Sequence, residues 1–502
     1  MYCNMGRNFK LSLKPETSLL LTRLSCCLTE HGIGAYLVGG FVRDVLLGRD
    51  TADIDIAIAG DALEIAPDLA NTLGGKYVLL DEVNRIGRVI LVNEANQWQI
   101  DFSTFRDSIE QDLAQRDFTI DAIAIDLDQL GTDGTDLQII DPFNGQGDLK
   151  QGVIRAVSET AFQSDAVRLL RAVRLAAELG FSIEAQTKSL VQRHHHLLNE
   201  VAGERVREEL LRLLAVPQAG KFLVHLDALG LLTVMIPELT QTKGVVQPQE
   251  HFWNVFDHSI NTVFAAGYLL RQETWEYANA DALMATPWSE TLSQHFERKV
   301  SHGSTRSSLL KLAALLHDIA KPETKTIEAD GKMRFLGHAK AGAAIAVNIL
   351  ERLRFSSKEI KLVELMILHH LRPLQMSNTG FPTRRAIYRY FRDTGETGID
   401  ILFLSLADHM ATRGPHLDIL EWQEHAKLVE YVLSQRFQEE SVITPPKLID
   451  GHDLINIFDL SAGPKIGELL EALRETQASG ELYTREEALD YIRRQLLAEA
   501  RK

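Results

Sequence analysis

The stretch from 36 to 58 constrains this chain more than any other, because a glycine pair is followed by two carboxylates in alternation with isoleucines. Its sequence, YLVGGFVRDVLLGRDTADIDIAI, is typical of a strand, a glycine turn, a short helix and a second strand. Since successive side chains on a strand point to opposite faces, Asp53 and Asp55 share one face. Two adjacent carboxylates suit Mg²⁺, and the N–H groups of Gly39 and Gly40 can bind a phosphate near the start of the helix. The stretch therefore favours nucleotide chemistry.

The combination of these features is similar to a known signature. LVGGFVRDVLLG followed by DIDIAI, with Arg43 and Asp44 between the glycines and the carboxylates, resembles the head domain of class II tRNA nucleotidyltransferases and bacterial poly(A) polymerases, within the polymerase-β nucleotidyltransferase superfamily. The resemblance implies an α+β chain: a head of mixed sheet and helices, an all-α neck and body, a helical HD domain and a helical tail. The expected boundaries are 1–155, 156–245, 246–435 and 436–502.

Composition sets broad limits on the chain. It has 502 residues, of which 45% are hydrophobic, enough for several cores. No apolar run reaches membrane-spanning length, and the N-terminal MYCNMGRNFKLSL lacks the apolar stretch of a signal peptide. Cysteine is limited to Cys3, Cys26 and Cys27, too few for a disulfide framework, so a cytoplasmic protein without membrane contact is expected. The net charge of −16 confines any nucleic-acid surface to a local basic stripe.

A third carboxylate is expected beside the first two. The segment 98–105, WQIDFSTF, predicts a strand on which Asp101 alternates with apolar residues. The alternative is a solvated aspartate on an edge strand. The resemblance implies that Asp53 and Asp55 bind two Mg²⁺ ions for an in-line displacement by the tRNA 3′-hydroxyl, and that Asp101 accepts the proton of that hydroxyl.

The segment 115–122, QRDFTIDA, resembles the family motif R-R-D-F-T-x-N-A, whose charged residues contact the sugar and phosphates of the incoming nucleotide. Arg116 and Asp117 are therefore expected nucleotide contacts, together with the Arg43 of the first stretch. Two positions depart from the motif. Gln115 lacks the charge of the usual arginine, and Asp121 is a carboxylate that cannot donate a hydrogen bond as the usual asparagine does.

The segment 164–174, SDAVRLLRAVR, predicts a helix on which Asp165 and Arg168 share a face. A weak surface ion pair is the simple interpretation. The pattern also resembles the family's E-D-x-x-R, with Ser164 in place of glutamate, and the resemblance implies that the aspartate and arginine select the base of the incoming nucleotide without a template.

Basic residues are dense in this helix and after it. Arg171 and Arg174 are expected to contact the nucleotide, and the local positive charge is expected to begin the track for tRNA. The residues of this expected track are Arg171, Arg174, Lys188, Arg193, Arg205, Arg207 and Arg212, with His194, His195 and His196.

A short connection bears on the product. Only DSIEQDLAQ, residues 107–115, separates Arg106 from Arg116. CCA-adding members resemble one another in having a longer loop there, implicated in the switch from CMP to AMP addition, and a short loop is typical of members that add only CC. The resemblance therefore implies that CTP is used to add CC to the tRNA 3′ end. A CCA- or A-adding enzyme, which would also use ATP, and a poly(A) polymerase stay open.

Histidine and aspartate recur in the second half of the chain in a characteristic order: His258, His317, Asp318, His338, His370 and Asp408. The order resembles the HD metal-dependent phosphohydrolase domain, and it implies a divalent transition metal or Mg²⁺ that activates water at a phosphoester. His370 is favoured over His369 as the ligand, and 272–306 is expected to be a surface excursion. A metal site without turnover stays open, as does an HD site that is the main activity beside a non-catalytic head.

Overall fold

The computed structural model describes residues 13–93, 97–131, 138–277, 279–376, 380–438 and 446–499, and Cys3 lies outside these ranges. The chain divides into two compact units, Met1–Val201 with Leu229–Leu231 and Ala202–Ala228 with Leu232–Lys502. The predicted neck and body is thus shared between the units, and the four-part division stays a prediction. Within the described ranges, every helix is too short or too polar to cross a membrane.

A seven-stranded sheet organises the described part of the first unit. Strands β2 and β5 run parallel and all other neighbours run antiparallel, in the order β3-β4-β5-β2-β1-β6-β7. The strands are β1 Ala35–Val38, β2 Asp53–Ile58, β3 Lys76–Asp81, β4 Ile86–Val92, β5 Gln97–Thr104, β6 Ala124–Asp126 and β7 Ile139–Ile140. Two short parallel strands lie apart from this sheet, β8 Val153–Ile154 and β9 Ser182–Ile183.

Helices lie on both faces of the sheet. Ile54 and Ile56 of β2 and Ile100 and Phe102 of β5 are at most 1% exposed, so their face is core. On the opposite face, which also carries the carboxylates, the helix 109–114 packs against Val38 and Ala57. The helices of this unit are α1 Pro15–Glu30, α2 Gly39–Leu46, α3 Ala62–Leu73, α4 Ile109–Ala114, α5 Gly145–Gln151, α6 Ala161–Ser164, α7 Arg168–Leu179 and α8 Ala185–His194.

The predicted continuous helix over 164–174 is wrong. Helix α6 ends at Ser164, Asp165 is extended with φ −155° and ψ 105°, and α7 begins at Arg168. The Asp165 carboxylate accepts the N–H of Val167 at 3.3 Å. Aspartate bonds nearby N–H groups better before a helix than within one, so Asp165 leads into α7 and does not share a helical face with Arg168.

The second unit is helical. Its helices are α9 Gly203–Ala215, α10 Ala219–Ala228, α11 Leu231–Met235, α12 Val255–Leu269, α13 Ala280–Ala285, α14 Glu290–Glu297, α15 Arg306–Leu316, α16 Lys321–Thr324, α17 His338–Arg352, α18 Ser357–His369, α19 Arg372–Gln375, α20 Arg384–Thr394, α21 Thr397–Arg413, α22 Ile419–Gln438, α23 Gly451–Phe458, α24 Pro464–Ala478 and α25 Arg485–Glu499. Two hairpins interrupt them, β10 Lys299–Ser301 with β11 Ser304–Thr305, and β12 Lys325–Ile327 with β13 Met333–Phe335.

The described residues of the segment 272–306, namely 272–277 and 279–306, pack into this unit, so the predicted surface excursion is wrong. Trp288 stacks on Phe296 with ring centroids 6.2 Å apart, and Phe296 meets Phe403 of α21 edge to face at 4.8 Å. Its aromatic side chains are few but large, and their burial against a helix far along the chain outweighs the polar average of the segment.

A close backbone contact beside the motif 115–122 gives a stability prediction. A Cβ on Gly145 would lie 2.1 Å from the carbonyl oxygen of Thr119 and 2.9 Å from Cγ1 of Ile123. Gly145→Ala should therefore lower the free energy of unfolding by about 1–3 kcal/mol. Gly34→Ala is the control, since its Cβ would meet only the Cβ of Ala59 at an ordinary 3.8 Å. Denaturant unfolding of both variants measures the difference, and equal stabilities would contradict the predicted contact.

Candidate active sites

The three head carboxylates occupy one face of the sheet. In the parallel pair of β2 and β5, Asp53 lies opposite Gln99 and Asp55 opposite Asp101. Asp53 is exposed, and Asp55 and Asp101 are half-buried. The alternation seen in the sequence thus brings the acidic side chains to one side, opposite the isoleucine core.

Asp55 is packed against the glycine turn. Burial raises its pKa to about 6, against the lowering effect of Arg116, and the negative charge of Asp101 adds to the rise. The N–H of Phe41 donates to the Asp55 carboxylate. Gly39 has φ +66°, and a Cβ there would lie 3.0 Å from Oδ2 of Asp55 and 2.8 Å from Nη1 of Arg116. Only glycine meets both requirements, so the turn and the carboxylate fit one another.

Asp101 is held by an arginine that no motif pointed to. Arg88 of β4 lies opposite Asp101, and its Nε and Nη2 donate to the two carboxylate oxygens at 2.6 and 2.8 Å. The hydrogen bond to Asp101 raises the pKa of Arg88, and the charges of Asp53 and Asp55 add to this. Arg88 therefore lies within electrostatic reach of all three carboxylates. The only sequence signal was a single arginine in the apolar strand IGRVILV.

The charged residues of the 115–122 motif pair with α4 and α7. Arg116 makes an ion pair with Asp112 at 3.0 Å. Arg171 donates to the buried Asp117 at 2.9 Å. Burial alone would raise the pKa of Asp117, but the Arg171 guanidinium outweighs it and lowers the pKa below its usual range.

Asp121, which departs from the family motif, has an ionic partner. Arg43 of α2 donates to Asp121 at 2.8 Å and, through Nε, to the adjacent Asp44 at 2.9 Å. Burial raises the pKa of Asp121, and Arg43 opposes that rise. A carboxylate at 121 gives Arg43 a second ionic partner beside Asp44, which an asparagine could not do.

Arg168 and Arg174 serve the packing of the first unit. Arg168 donates to the carbonyl oxygens of Gln115 at 2.8 Å and Ala161 at 3.2 Å, which ties the start of α7 to the motif. Burial lowers the pKa of Arg168. Arg174 is 5% exposed and pairs with Glu178 at 2.5 Å. A role for either residue in nucleotide binding stays a prediction.

The expected basic track is partly exposed in each unit taken by itself. In the first unit Lys188, Arg193 and His196 are exposed, and in the second Arg205 and Arg212 are. Arg207 instead donates to the carbonyl oxygen of Arg354. An RNA-binding role for these residues stays a prediction.

The second unit gathers all six residues of the predicted HD site. His258 Nε2 lies 3.0 Å from Asp408 Oδ1 and 3.2 Å from His317 Nε2. His338 Nε2 lies 3.3 Å from His370 Nε2, and Asp318 reaches both His317 at 3.2 Å and His338 at 3.4 Å.

These residues form two groups that can each hold a metal ion, and both groups contain Asp318: His258 with His317 and Asp318, and Asp318 with His338 and His370. In the part of the chain that the structure describes, these are the groups of three whose ligand atoms come within 4.8 Å of one another. The head carboxylates do not converge that closely. The HD cluster therefore has the donor set of a two-metal site bridged by one carboxylate.

The histidine tautomers fit metal binding. The Nδ1 atoms of His317, His338 and His370 lie 2.7 to 2.9 Å from backbone carbonyl oxygens, which can only accept a hydrogen bond. Each Nδ1 must therefore carry the proton, and each Nε2 is left to ligate a metal. His369 faces a different cavity, so the geometry distinguishes the two adjacent histidines.

The cavity over this cluster, about 440 Å³, is also lined by basic residues that no sequence motif indicated. Lys321 Nζ lies 2.6 Å from Asp318 and 2.7 Å from Oε1 of Gln247, and His251 packs against His258 with ring centroids 5.5 Å apart. Lys321 could have been predicted from the sequence, because it follows Asp318 by three residues. No feature of the sequence indicated His251.

Four family models match the chain: the poly A polymerase head domain over 35–155, a probable RNA and SrmB-binding site of polymerase A over 180–242, the HD domain over 255–413, and a putative second domain of tRNA nucleotidyltransferase over 335–492. Together they cover both sites described above.

Curated relatives match over nearly the whole length. The A-adding tRNA nucleotidyltransferase of Deinococcus radiodurans is 34% identical over 92% of this chain and 95% of its own. The CC-adding tRNA nucleotidyltransferases of Thermus thermophilus and Geobacter sulfurreducens are each 31% identical, over 91% and 95% of this chain and 93% and 96% of their own.

Solved structures show the same fold. The Thermotoga maritima CCA-adding enzyme complexed with tRNA aligns over 96% of each chain with a TM-score of 0.59 at 23% identity. A CCA-adding enzyme in complex with CTP aligns over 96% of each chain with a TM-score of 0.62 at 22% identity. The recognition of the family and the α+β fold class are thus confirmed.

Proposed function

The chain belongs to the tRNA nucleotidyltransferase family, and we propose that it adds CMP residues from CTP to the 3′ end of tRNA without a template. The observation that carries the proposal is the common face of Asp53, Asp55 and Asp101 beside the left-handed Gly39. That arrangement offers acidic ligands and a proton acceptor on one face beside a glycine turn.

The chemistry assigned to the head is an in-line displacement. The 3′-oxygen of the tRNA forms a bond to the α-phosphorus of CTP, pyrophosphate leaves, and the proton of the 3′-hydroxyl passes to Asp101. Mg²⁺ held by Asp53 and Asp55 would neutralise the charge that develops on the phosphates. Arg116, whose Nη1 approaches the glycine turn, contacts the phosphates, and Gly39 and Gly40 let the nucleotide approach the backbone.

The structure of the short connection supports addition of CC alone. Residues 109–114 form helix α4, capped by Ser108, which accepts the N–H of Gln111. Ile109 and Leu113 are buried in one cluster with Val38 and Ala57 of the sheet. A segment that must rearrange between CMP and AMP addition needs freedom that this packed helix lacks.

A-adding activity is the alternative, because the relative that is 34% identical carries that name while two that are 31% identical are CC-adding. Full CCA addition is covered by the same assay. The proposals differ in which tRNA end is extended and by which nucleotide.

The HD cluster supports a second proposed function, metal-dependent phosphohydrolysis. Two histidine-containing groups that share Asp318 would hold two divalent cations, whose chemistry is the activation of water at a phosphoester. Lys321, which is buried and paired with Asp318, supplies a positive charge at the wall of the cavity for a phosphate.

Removal of either metal-binding carboxylate of the head should abolish transfer. Asp53→Ala and Asp55→Ala should each lower the rate of incorporation from labelled CTP by at least about 100-fold, because the phosphate charge is no longer neutralised. Asp50→Asn is the control, since Asp50 is exposed in the loop before β2 and pairs with Lys14. Ordinary incorporation by a folded Asp53→Ala protein would refute the proposed function.

The product is read from three tRNA substrates that end in the discriminator base, in C or in CC. With CTP and ATP present, two CMP residues should be added to the first, one to the second and nothing to the third. Sequencing of the products measures this. AMP on the CC-ended tRNA would exclude a CC-adding enzyme, and AMP on that substrate alone would establish the A-adding alternative.

Two adjacent histidines test the HD proposal. His370→Gln should lower bound Mn²⁺, measured by mass spectrometry after desalting, and should lower phosphate release from a nucleoside monophosphate. His369→Gln should change neither, since His369 lies outside the cluster. Both variants should keep CMP addition. Equal metal content and phosphate release in the two variants would contradict the assignment.

A further inference from the structure

The guanidinium of Arg88 binds side chains of a single neighbouring strand, β5. Besides the two hydrogen bonds to Asp101, its Nη1 donates to Oε1 of Gln99 at 2.6 Å, so three nitrogens bind side chains of β5. The Arg88 side chain is 30% exposed and that of Asp101 is 25% exposed. Both groups therefore stand at the border between the sheet and solvent, where substrate can reach them.

The register places Asp101 between Arg88 and Asp55. Arg88 lies opposite Asp101 in the antiparallel pair of β4 and β5. Asp101 lies opposite Asp55 in the parallel pair of β5 and β2. A bidentate arginine fixes the plane of a carboxylate, and each oxygen keeps a second lone pair.

Arg88 occupies both oxygens of Asp101, whereas Asp55, opposite it on β2, accepts the N–H of Phe41. In the described ranges, Asp53, Asp55 and Asp101 are not among the groups of three whose ligand atoms lie within 4.8 Å of one another. This arrangement suits a role for Asp101 as proton acceptor beside Asp53 and Asp55 as metal ligands.

We propose that Arg88 is a positioning residue for nucleotidyl transfer. Its fork holds the Asp101 carboxylate on the face it shares with Asp55, with lone pairs ready to accept the proton of the tRNA 3′-hydroxyl as the 3′-oxygen bonds to the α-phosphorus and pyrophosphate leaves. The inference rests on the proposed function of the head.

A purely structural ion pair makes a different prediction. A half-exposed pair on a sheet contributes at most about 1 kcal/mol to stability, and its loss would not change kcat. Arg85, three residues earlier, provides the comparison, because it pairs with Asp61 at the start of α3 and touches none of the three carboxylates.

The test is a double-mutant cycle on CMP addition. Arg88→Gln should lower kcat about tenfold and change KM for CTP less than about twofold, because Asp101 is no longer fixed. Arg88→Lys should retain part of the rate, since it keeps the charge but not the fork. Asp101→Asn should lower kcat by about 100-fold or more, and Arg88→Gln added to Asp101→Asn should cause no further loss.

Arg85→Gln is the matched control and should keep kcat within about twofold, and thermal unfolding of every variant checks the fold. If kcat of the double variant falls by the product of the two single losses, the inference is overturned. An unchanged or raised kcat of Arg88→Gln would also overturn it. These failures leave the proposed function intact provided that Asp53→Ala is inactive. An active Asp53→Ala protein would instead refute the proposed function itself.

Discussion

Repulsion among three carboxylates is the constraint on which the head depends. Asp53, Asp55 and Asp101 share one face of adjacent strands, and unpaired like charges so arranged disfavour the folded state. The burial of Asp55 and the charge of Asp101 together raise the pKa of Asp55 to about 6. Arg88 and Arg116 offset part of this charge. The remaining negative charge therefore favours binding of a cation, and Gly39 places no side chain against Asp55.

The surrounding arginines are positioned by the same balance of charge. Asp117 pairs with Arg171 and Asp121 pairs with Arg43, and both aspartates are buried. These pairs join α2, the 115–122 motif and α7 in one network. The aspartate at 121 gives Arg43 a second ionic partner beside Asp44. In the second unit the ligands are mainly imidazoles, whose Nε2 atoms can ligate a metal without adding negative charge.

Sequence patterns predicted those parts of this structure that depend on residues close together in the chain or on a recognisable order of residue types. The alternation in β2 and β5 placed the carboxylates on one face, and the order of histidines and aspartates found the HD cluster. The helix over 164–174 was wrong because Asp165 prefers to bond the N–H of Val167 ahead of the helix. The packing of 272–306 was missed because Phe296 meets Phe403, far along the chain. Arg88 was missed for a related reason, since only the register of β4 on β5 assigns its partner.

Anomalous diffraction from crystals grown with Mn²⁺ and CTP tests the central claim most directly. The account predicts an Mn²⁺ peak within coordination distance of carboxylate oxygens from both Asp53 and Asp55 and of the CTP phosphates, beside Gly39. Strong peaks at the HD cluster with no density between Asp53 and Asp55, or CTP bound away from that face, would contradict it.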